Sequence, residues 1–361
     1  MPRQAFRTNR IRTRPAGFST MTILLTGGSG YIGSHTAVVL VGKGHRVVLL
    51  DNLSNSHRKV TRNLEEITGT KIPFIECDVR DTVSVGRILK QHNIDAVIHF
   101  AGLKAVGVSV ERPIDYYANN VYGTISLLQA MKSCGIRRLI FSSSAAVYGN
   151  PRYLPIDERH PTGATNPYGR SKLHIEQILH DVAGSDHTWR IACLRYFNPV
   201  GAHDSGLIGE QPNGIPNNLM PYIAGVAAGS LPHLDVFGND YETNDGTGVR
   251  DYVHVMDLAE GHCAALDYLR TRTSGISVFN LGTGNGFSVL DMIKAFETAS
   301  HRRIPYRFVP RRPGDVAACY ARAEKAAAQL GWKTTRILPD MCASSWKFQT
   351  LSARAYSEPD I

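Results

Sequence analysis

Between Met21 and about Asn198, six short apolar runs alternate with helical stretches: Ile23 to Leu25, Val47 to Leu50, Pro73 to Glu76, Ala96 to Phe100, Leu139 to Ser142 and Ile191 to Tyr196. Strands separated by a whole helix are joined as crossovers, so they lie parallel, with the helices packed on both faces of the sheet. The expected fold class is therefore α/β, with a doubly wound parallel sheet. At 361 residues the chain has material for that sheet and for a smaller second domain. After Asn198 the alternation breaks. Pro199 to Pro221 is rich in Gly, Pro and Asn and too long for an ordinary connection, which marks it as functional. We expect residues 21–198 to form the sheet domain. Residues 199–350 should form mainly a smaller mixed α/β substrate domain, interleaved with elements that return to the sheet. Residues 1–20 read as a basic extension and 351–361 as a tail.

The first run leads into Thr26-Gly27-Gly28-Ser29-Gly30-Tyr31-Ile32-Gly33 and then a helix-like stretch, Ser34 to Val41. In that context the glycines have separate tasks. Gly27 permits a tight turn, Gly30 lets backbone approach a pyrophosphate, and Gly33 lets the helix pack closely on the strand, with unpaired N–H groups aimed at the anion. A glycine turn alone serves equally well to reverse a chain. The second run removes the ambiguity, because it ends in Asp51, roughly 20 residues beyond the turn, where a carboxylate accepts from the ribose hydroxyls of an adenosine. The same charge repels a ribose phosphate. The reading is a Rossmann-type sheet that binds NAD rather than NADP.

The formal charge of +9 suggests a polyanionic partner until it is located. Residues 1–20 hold Arg3, Arg7, Arg10, Arg12 and Arg14 and no acid, so the remainder carries 9 − 5 = +4. That balance suits a small anionic ligand, and neither nucleic acid nor membrane is expected, since no apolar run approaches the ~20 residues that cross a bilayer. The arginine-rich start reads as a tail, or as sequence upstream of a start at Met21, in preference to a targeting segment. Cys77, Cys134, Cys193, Cys263, Cys319 and Cys342 are scattered, without C-x-x-C or ligand spacing, as expected of reduced thiols in the cytoplasm.

The chemistry is carried by Tyr168-Gly169-Arg170-Ser171-Lys172. The apolar spacing that follows, Leu173, Ile175, Ile178 and Leu179, supports a helix, so Tyr168 and Lys172 share a face. A nearby ammonium favours the phenolate and makes Tyr168 a general base for a hydroxyl, with Lys172 also able to hold a ribose. Ser144 closes the run Ser142-Ser143-Ser144 and can bridge the reacting oxygen and the tyrosine.

Ten segments, in order, then carry a resemblance: TGGSGYIGSHT at 26–36, LDNLSNS at 50–56, HFAGLKAVGVSV at 99–110, FSSSAAVYG at 141–149, PYGRSKL at 167–173, RYFNPVGAH at 195–203, IPNNLMPYI at 215–223, FGNDY at 237–241, DGTGVRDYVHVMDLA at 245–259 and PRRPGD at 310–315. From Met21 to about residue 350 the chain resembles the extended short-chain dehydrogenase/reductases and, more narrowly, their UDP-glucose 4-epimerase (UDP-galactose 4-epimerase) group. The resemblance implies reversible epimerisation of a UDP-sugar at C4 through a 4-keto sugar, with hydride lent to NAD and returned. It implies cofactor contacts at Tyr31 and Ile32, at Asp51, Asn52 and Asn55 by the adenosine, and at Asp78 and Val79 by the adenine. Phe100, Ala101, Gly102 and Lys104 lead toward the nicotinamide, with Asn119 and Lys172 also on the cofactor. For the nucleotide sugar it implies Ser144, Tyr168, Asn198, Asn218, Leu219, Arg250, Tyr252, Arg312 and Asp315, with Val236 and Phe237 near the uracil.

Arginines suit a diphosphate because each offers several donors in a fixed fork, although Arg250 could equally pair with Asp245 or Asp251. His203, His254 and His262 have no metal-ligand spacing and read as structural. A nucleotide-sugar 4,6-dehydratase or decarboxylase shares this fold, cofactor and Tyr/Lys pair; a dehydratase resembling this chain would carry an acidic pair just after the serine, where Ala145 and Ala146 stand. A non-catalytic NAD sensor would have lost Tyr168 or Lys172. Ala146 replaces the threonine usual in the group, removing one hydroxyl near the sugar. Cys319 stands where the group varies between tyrosine and a small residue, and its size implies room for N-acetylated UDP-sugars. Helices around 120–134 and 168–184 are expected to pair in a homodimer.

Overall fold

A computed structural model describes residues 19–211, 216–312 and 314–357. Most of the basic extension, the end of the tail, Ile215 and Pro313 lie outside the described residues. Six strands follow in chain order: Thr22–Thr26 (β1), Arg46–Asp51 (β2), Phe74–Glu76 (β3), Ala96–His99 (β4), Arg138–Ser144 (β5) and Arg190–Tyr196 (β6). Beyond them come Asn198–Val200 (β7), Leu234–Phe237 (β8), Val249–His254 (β9), Gly275–Leu281 (β10), Gly286–Ser288 (β11), Tyr306–Val309 (β12) and Ala318–Cys319 (β13). The main sheet has seven strands in the order β10-β6-β5-β4-β1-β2-β3. Every ladder in it is parallel.

The strands read as continuous apolar runs because both faces are covered. Ile23 and Leu25 of β1, with Val47 and Leu49 of β2 and Ile98 of β4, belong to one core. Leu24, Val48, Leu50 and Val97 belong to the other. The period of two in the strands thus divides one apolar run between two cores. From β1 the chain winds outward through β2 and β3 on one side and through β4, β5 and β6 on the other. The order reverses between β1 and β4, and ligands of such sheets bind at the crevice outside the strand ends at this point. The turn after β1 and the loop after β4 meet there.

The seventh strand, β10, joins the sheet from the later part of the chain, and the helix Val255–Thr271 packs on the helix Tyr31–Gly42 that follows the glycine turn. A separate apolar cluster, including Met220, Ile223, Val236, Tyr252, Phe296 and Met341, lies among the helices Leu219–Ala227, Val289–Ser300 and Leu338–Ser357. Strand β9 organises this region. It pairs with β13, placing Cys319 beside Arg250, and with β7, placing Asn198 beside Tyr252. A two-stranded parallel ribbon, β8 with β12, carries Val236 and Phe237.

Candidate active site

One cavity of about 1600 Å³ runs along the crevice and is lined from both parts of the chain. At its cofactor end the backbone is closely packed. Gly27 sits at φ 66, and a Cβ there would lie 2.7 Å from Ala101 N; a Cβ on Gly33 would lie 2.4 Å from Gly27 O. Side chains at either position would part the turn from the β4 loop or the helix from the turn. Gly30 caps the helix Tyr31–Gly42 in extended conformation, with no side-chain cap bond and no acid in the first turn. The first N–H groups therefore remain free for an anion, which fits the pyrophosphate of a dinucleotide. Asp51, at the end of β2, accepts from Ser29 N at 3.2 Å, Leu53 N at 2.9 Å and Ser56 Oγ at 3.0 Å. Leu53 takes φ 58 in that short loop.

Tyr31, Ile32, Asn52, Asn55, Val79, Phe100, Ala101, Gly102, Lys104 and Asn119 all line the cavity. Asp78 is not in its wall. Arg80 clamps the Asp78 carboxylate with bonds of 2.9 and 2.7 Å, Asn52 donates at 3.2 Å, and these bonds hold its pKa down at about 2.

Asn166 and Pro167 start the helix Pro167–Ser185, the Asn166 side chain accepting from Gly169 N at 2.9 Å. Tyr168 and Lys172 follow one turn apart, both buried. Lys172 Nζ donates to Ser142 O at 2.8 Å and lies 4.8 Å from the Phe141 ring centroid. Burial brings its pKa down to about 8, against the opposing charge of Glu176. Ser144 accepts from Ala146 N at 3.1 Å and interacts favourably with the charged form of Tyr168, but is not among the residues lining the cavity. Burial raises the Tyr168 phenol above its ordinary value, while Ser144 and the charge of Lys104 pull it down. In the free protein burial outweighs both, and the favourable charge on Tyr168 comes from Lys104 on the β4 loop.

At the other end, Asn198 Nδ2 donates to Asp251 O at 3.1 Å and Asn218 Nδ2 to Glu210 Oε1 at 2.6 Å. Leu219 opens the next helix. The Arg312 guanidinium lies 3.8 Å from the Phe237 ring centroid, beside Val236. Arg250 donates to Val249 O at 2.9 Å and Val316 O at 2.8 Å, and its ion-pair partner is Asp315 at 3.6 Å. Asp245 and Asp251 are engaged elsewhere, with Ser288 and Thr247, and with Thr283, Gly284 and Ala321. Tyr252 is buried in the wall. Cys319 is not in the wall. It packs against Val147, Tyr148, Ile156, Phe197 and Ala321, where burial pushes its thiol up to about 11. His203, His254 and His262 bond to Ser205, Ser344 and Ser142 respectively.

The family model described as GDP-mannose 4,6 dehydratase matches residues 24–345. A Bacillus subtilis protein named UDP-glucose 4-epimerase is 55% identical over 340 residues, covering 94% of this chain and 100% of that protein. The chain belongs to the UDP-glucose 4-epimerase family. A human epimerase is 54% identical across 91% of this chain and 96% of its own. A crystal structure of the epimerase from Stenotrophomonas maltophila, with bound NAD and formylated UDP-arabinopyranose, matches with TM-score 0.91 and 52% identity, covering 93% of this chain and 99% of that one. The epimerase from Bifidobacterium longum, in complex with NAD+ and UDP, matches with TM-score 0.89 and 55% identity, covering 92% and 99%. The family model named for a dehydratase and the epimerase relatives share one fold; Ala145-Ala146 is the local feature against elimination.

Three epimerase-site features escape a reading of the sequence. Asn120, next to the expected Asn119, bonds both backbone groups of Leu103 at 2.8 and 3.0 Å and Ser171 Oγ at 3.0 Å, tying the β4 loop to the helix of Tyr168. Glu176 forms a buried pair with Arg195 at 2.6 Å and accepts from Ser143 Oγ at 2.5 Å. Its position four residues after Lys172 was the available signal. Glu210 was signalled only as an acid in a loop of Gly, Pro and Asn.

Proposed function

We propose that the chain interconverts UDP-galactose and UDP-glucose at C4 through a 4-keto sugar. The carrying observation is a single cavity lined by the glycine turn and Asp51, by Tyr168 and Lys172, and by Arg250 and Arg312. Bound NAD supplies the acceptor that takes the C4 hydride and returns it to the opposite face. Tyr168 takes the proton of the 4-hydroxyl and gives it back, with Ser144 behind it favouring the phenolate and Lys104 adding a favourable charge. Lys172, Asp51 and the first turn of the helix Tyr31–Gly42 hold the cofactor's ribose, adenosine and pyrophosphate. Arg250 and Arg312 receive the diphosphate of the sugar nucleotide, where each guanidinium offers a planar fork of donors. Phe237 borders the uracil.

No net oxidation occurs, so a permanently bound cofactor suffices. Purified protein given UDP-galactose without added NAD should form UDP-glucose, and a protein that carries NAD yet leaves UDP-galactose unchanged refutes the reading. The same reading divides the chain into a cofactor domain, residues 21–198, and a mainly substrate-binding one, residues 199–350, in a cytoplasmic homodimer. Support for self-association comes from Ile114 and Tyr122, which are 79% and 53% exposed beside the two helices expected to pair. A monomer mass by light scattering across a dilution series would remove that part. Among the described residues no helix is long and apolar enough to cross a membrane.

A further inference from the structure

Glu210 lines the cavity with a carboxylate that is only 9% exposed. One oxygen, Oε1, accepts from Lys104 Nζ and from Asn218 Nδ2, both at 2.6 Å. The two donors come from opposite sides of the crevice. Lys104 stands on the loop after β4, and Asn218 caps the helix Leu219–Ala227 without using its side chain on that helix. The Lys104 loop is itself held, because Asn120 bonds the backbone of Leu103 and reaches Ser171 Oγ on the Tyr168 helix. A continuous set of bonds therefore runs from Asn218 through Glu210 and Lys104 to the helix that bears the base.

An acid in a cavity that receives two diphosphates opposes both ligands unless its charge is matched. Pairing with Lys104 matches it. The pair then acts as a short strut between the loop after Asn198 and the loop after β4. Without the strut, both donors regain rotamer freedom that ligand binding must remove again. Lys104 and Asn218 bond Glu210 directly, and nearby Tyr31, whose hydroxyl donates to Gly201 O at 2.6 Å, has its phenol raised by burial and, after it, by the Glu210 charge.

We infer that Glu210 is a positioning residue that braces the sugar-nucleotide loop against the cofactor-side lysine, holding Asn218 and Lys104 in one arrangement for the two ligands. This inference rests on the epimerase reading. Glu210→Ala should raise KM for UDP-galactose about tenfold to a hundredfold, the range for a lost charge-assisted hydrogen bond. It should change kcat less than KM, since Glu210 touches neither ligand's reacting atoms and reaches Tyr168 only through the charge of Lys104. Glu210→Gln keeps an acceptor oxygen and should fall between.

The pairing is tested by the cycle of Lys104→Met, Glu210→Ala and the double variant. Coupled residues give a double variant scarcely worse than the poorer single one, whereas independent effects multiply. A general structural role would instead lower the melting temperature and kcat together. An unchanged KM in folded Glu210→Ala, or in Glu210→Gln if the alanine variant fails to fold, overturns the inference. So do multiplying effects in the cycle. If wild-type protein lacks epimerase activity, the functional reading fails separately; UDP affinity by calorimetry then decides the brace, weaker binding by the variant upholding it and equal binding overturning it.

Discussion

Acidification should unfold this protein well above the carboxylate range, because four histidines are buried in the neutral form. Burial holds His35 and His99 at about 3 and His254 and His262 at about 4, against an ordinary 6.5. None of them has a free acceptor ready to take the added proton. His99 lies between the hydroxyls of Thr26 and Thr124 at 2.6 and 3.0 Å. His254 Nδ1 accepts from Met256 N at 3.1 Å, so a proton there meets another donor. His35 Nε2 has no partner, and a charge on it would stay unsolvated. The folded pKa values are depressed, so the unfolded chain takes up protons that the folded chain refuses. Stability is fully present above pH 6.5 and is lost as pH falls toward 4. Each histidine contributes a slope approaching 1.4 kcal/mol per pH unit, so lowering pH from 7 to 5 costs about 2 kcal/mol each and roughly 8 kcal/mol together. A loss of that size is comparable to the whole stability of an ordinary domain, ~5–15 kcal/mol. His45 and His203 shift in the same direction. Equilibrium urea unfolding between pH 5 and 8 measures the slope directly, and His99→Gln should reduce it by about one proton. Stability that stays flat between pH 7 and 5 would refute the reasoning.

Tyr168→Phe should leave NAD and UDP binding nearly intact while lowering turnover by about 10²–10⁴-fold; near-normal turnover would show that the base is another group. Asp51→Ala strips the acceptor from Ser29 N, Leu53 N and Ser56 Oγ, so the purified variant should contain less NAD while UDP affinity changes little, as read by cofactor extraction and calorimetry. At position 319 a tyrosine must fit against Val147, Tyr148, Ile156, Phe197 and Ala321, at an overpacking cost of about 1–3 kcal/mol. Because Cys319 lies outside the cavity wall, Cys319→Tyr should lower the melting temperature and reduce turnover of plain and N-acetylated UDP-sugars alike; selective loss of the N-acetylated reaction would show that position 319 reaches the sugar after all.

The sheet was legible because its strands are buried on both faces, and such strands declare themselves as unbroken apolar runs whose neighbours share no polar choice to make. The glycine turn, Asp51 and the Tyr168–Lys172 spacing were legible for a related reason: each is a local arrangement in which a few adjacent residues set the geometry. The strand β10 is less plain. Its Ser277 and Asn280 are polar residues inside a sheet, and their partners, Tyr268 and Tyr148, are supplied by other elements. The same limit hid a further cation near Tyr168. Helix spacing put Lys172 nearest along the chain, where it turns to Ser142 O, while a favourable charge on Tyr168 also arrives from Lys104 on the β4 loop. Cys319 left the cavity wall because β13 pairs beside β9, and Glu210 gained its two partners because separate loops close over one crevice. Periodicity and short motifs settle what neighbouring residues decide among themselves. Charge, burial and the identity of a partner depend on groups a hundred residues apart, and only the folded chain brings those together.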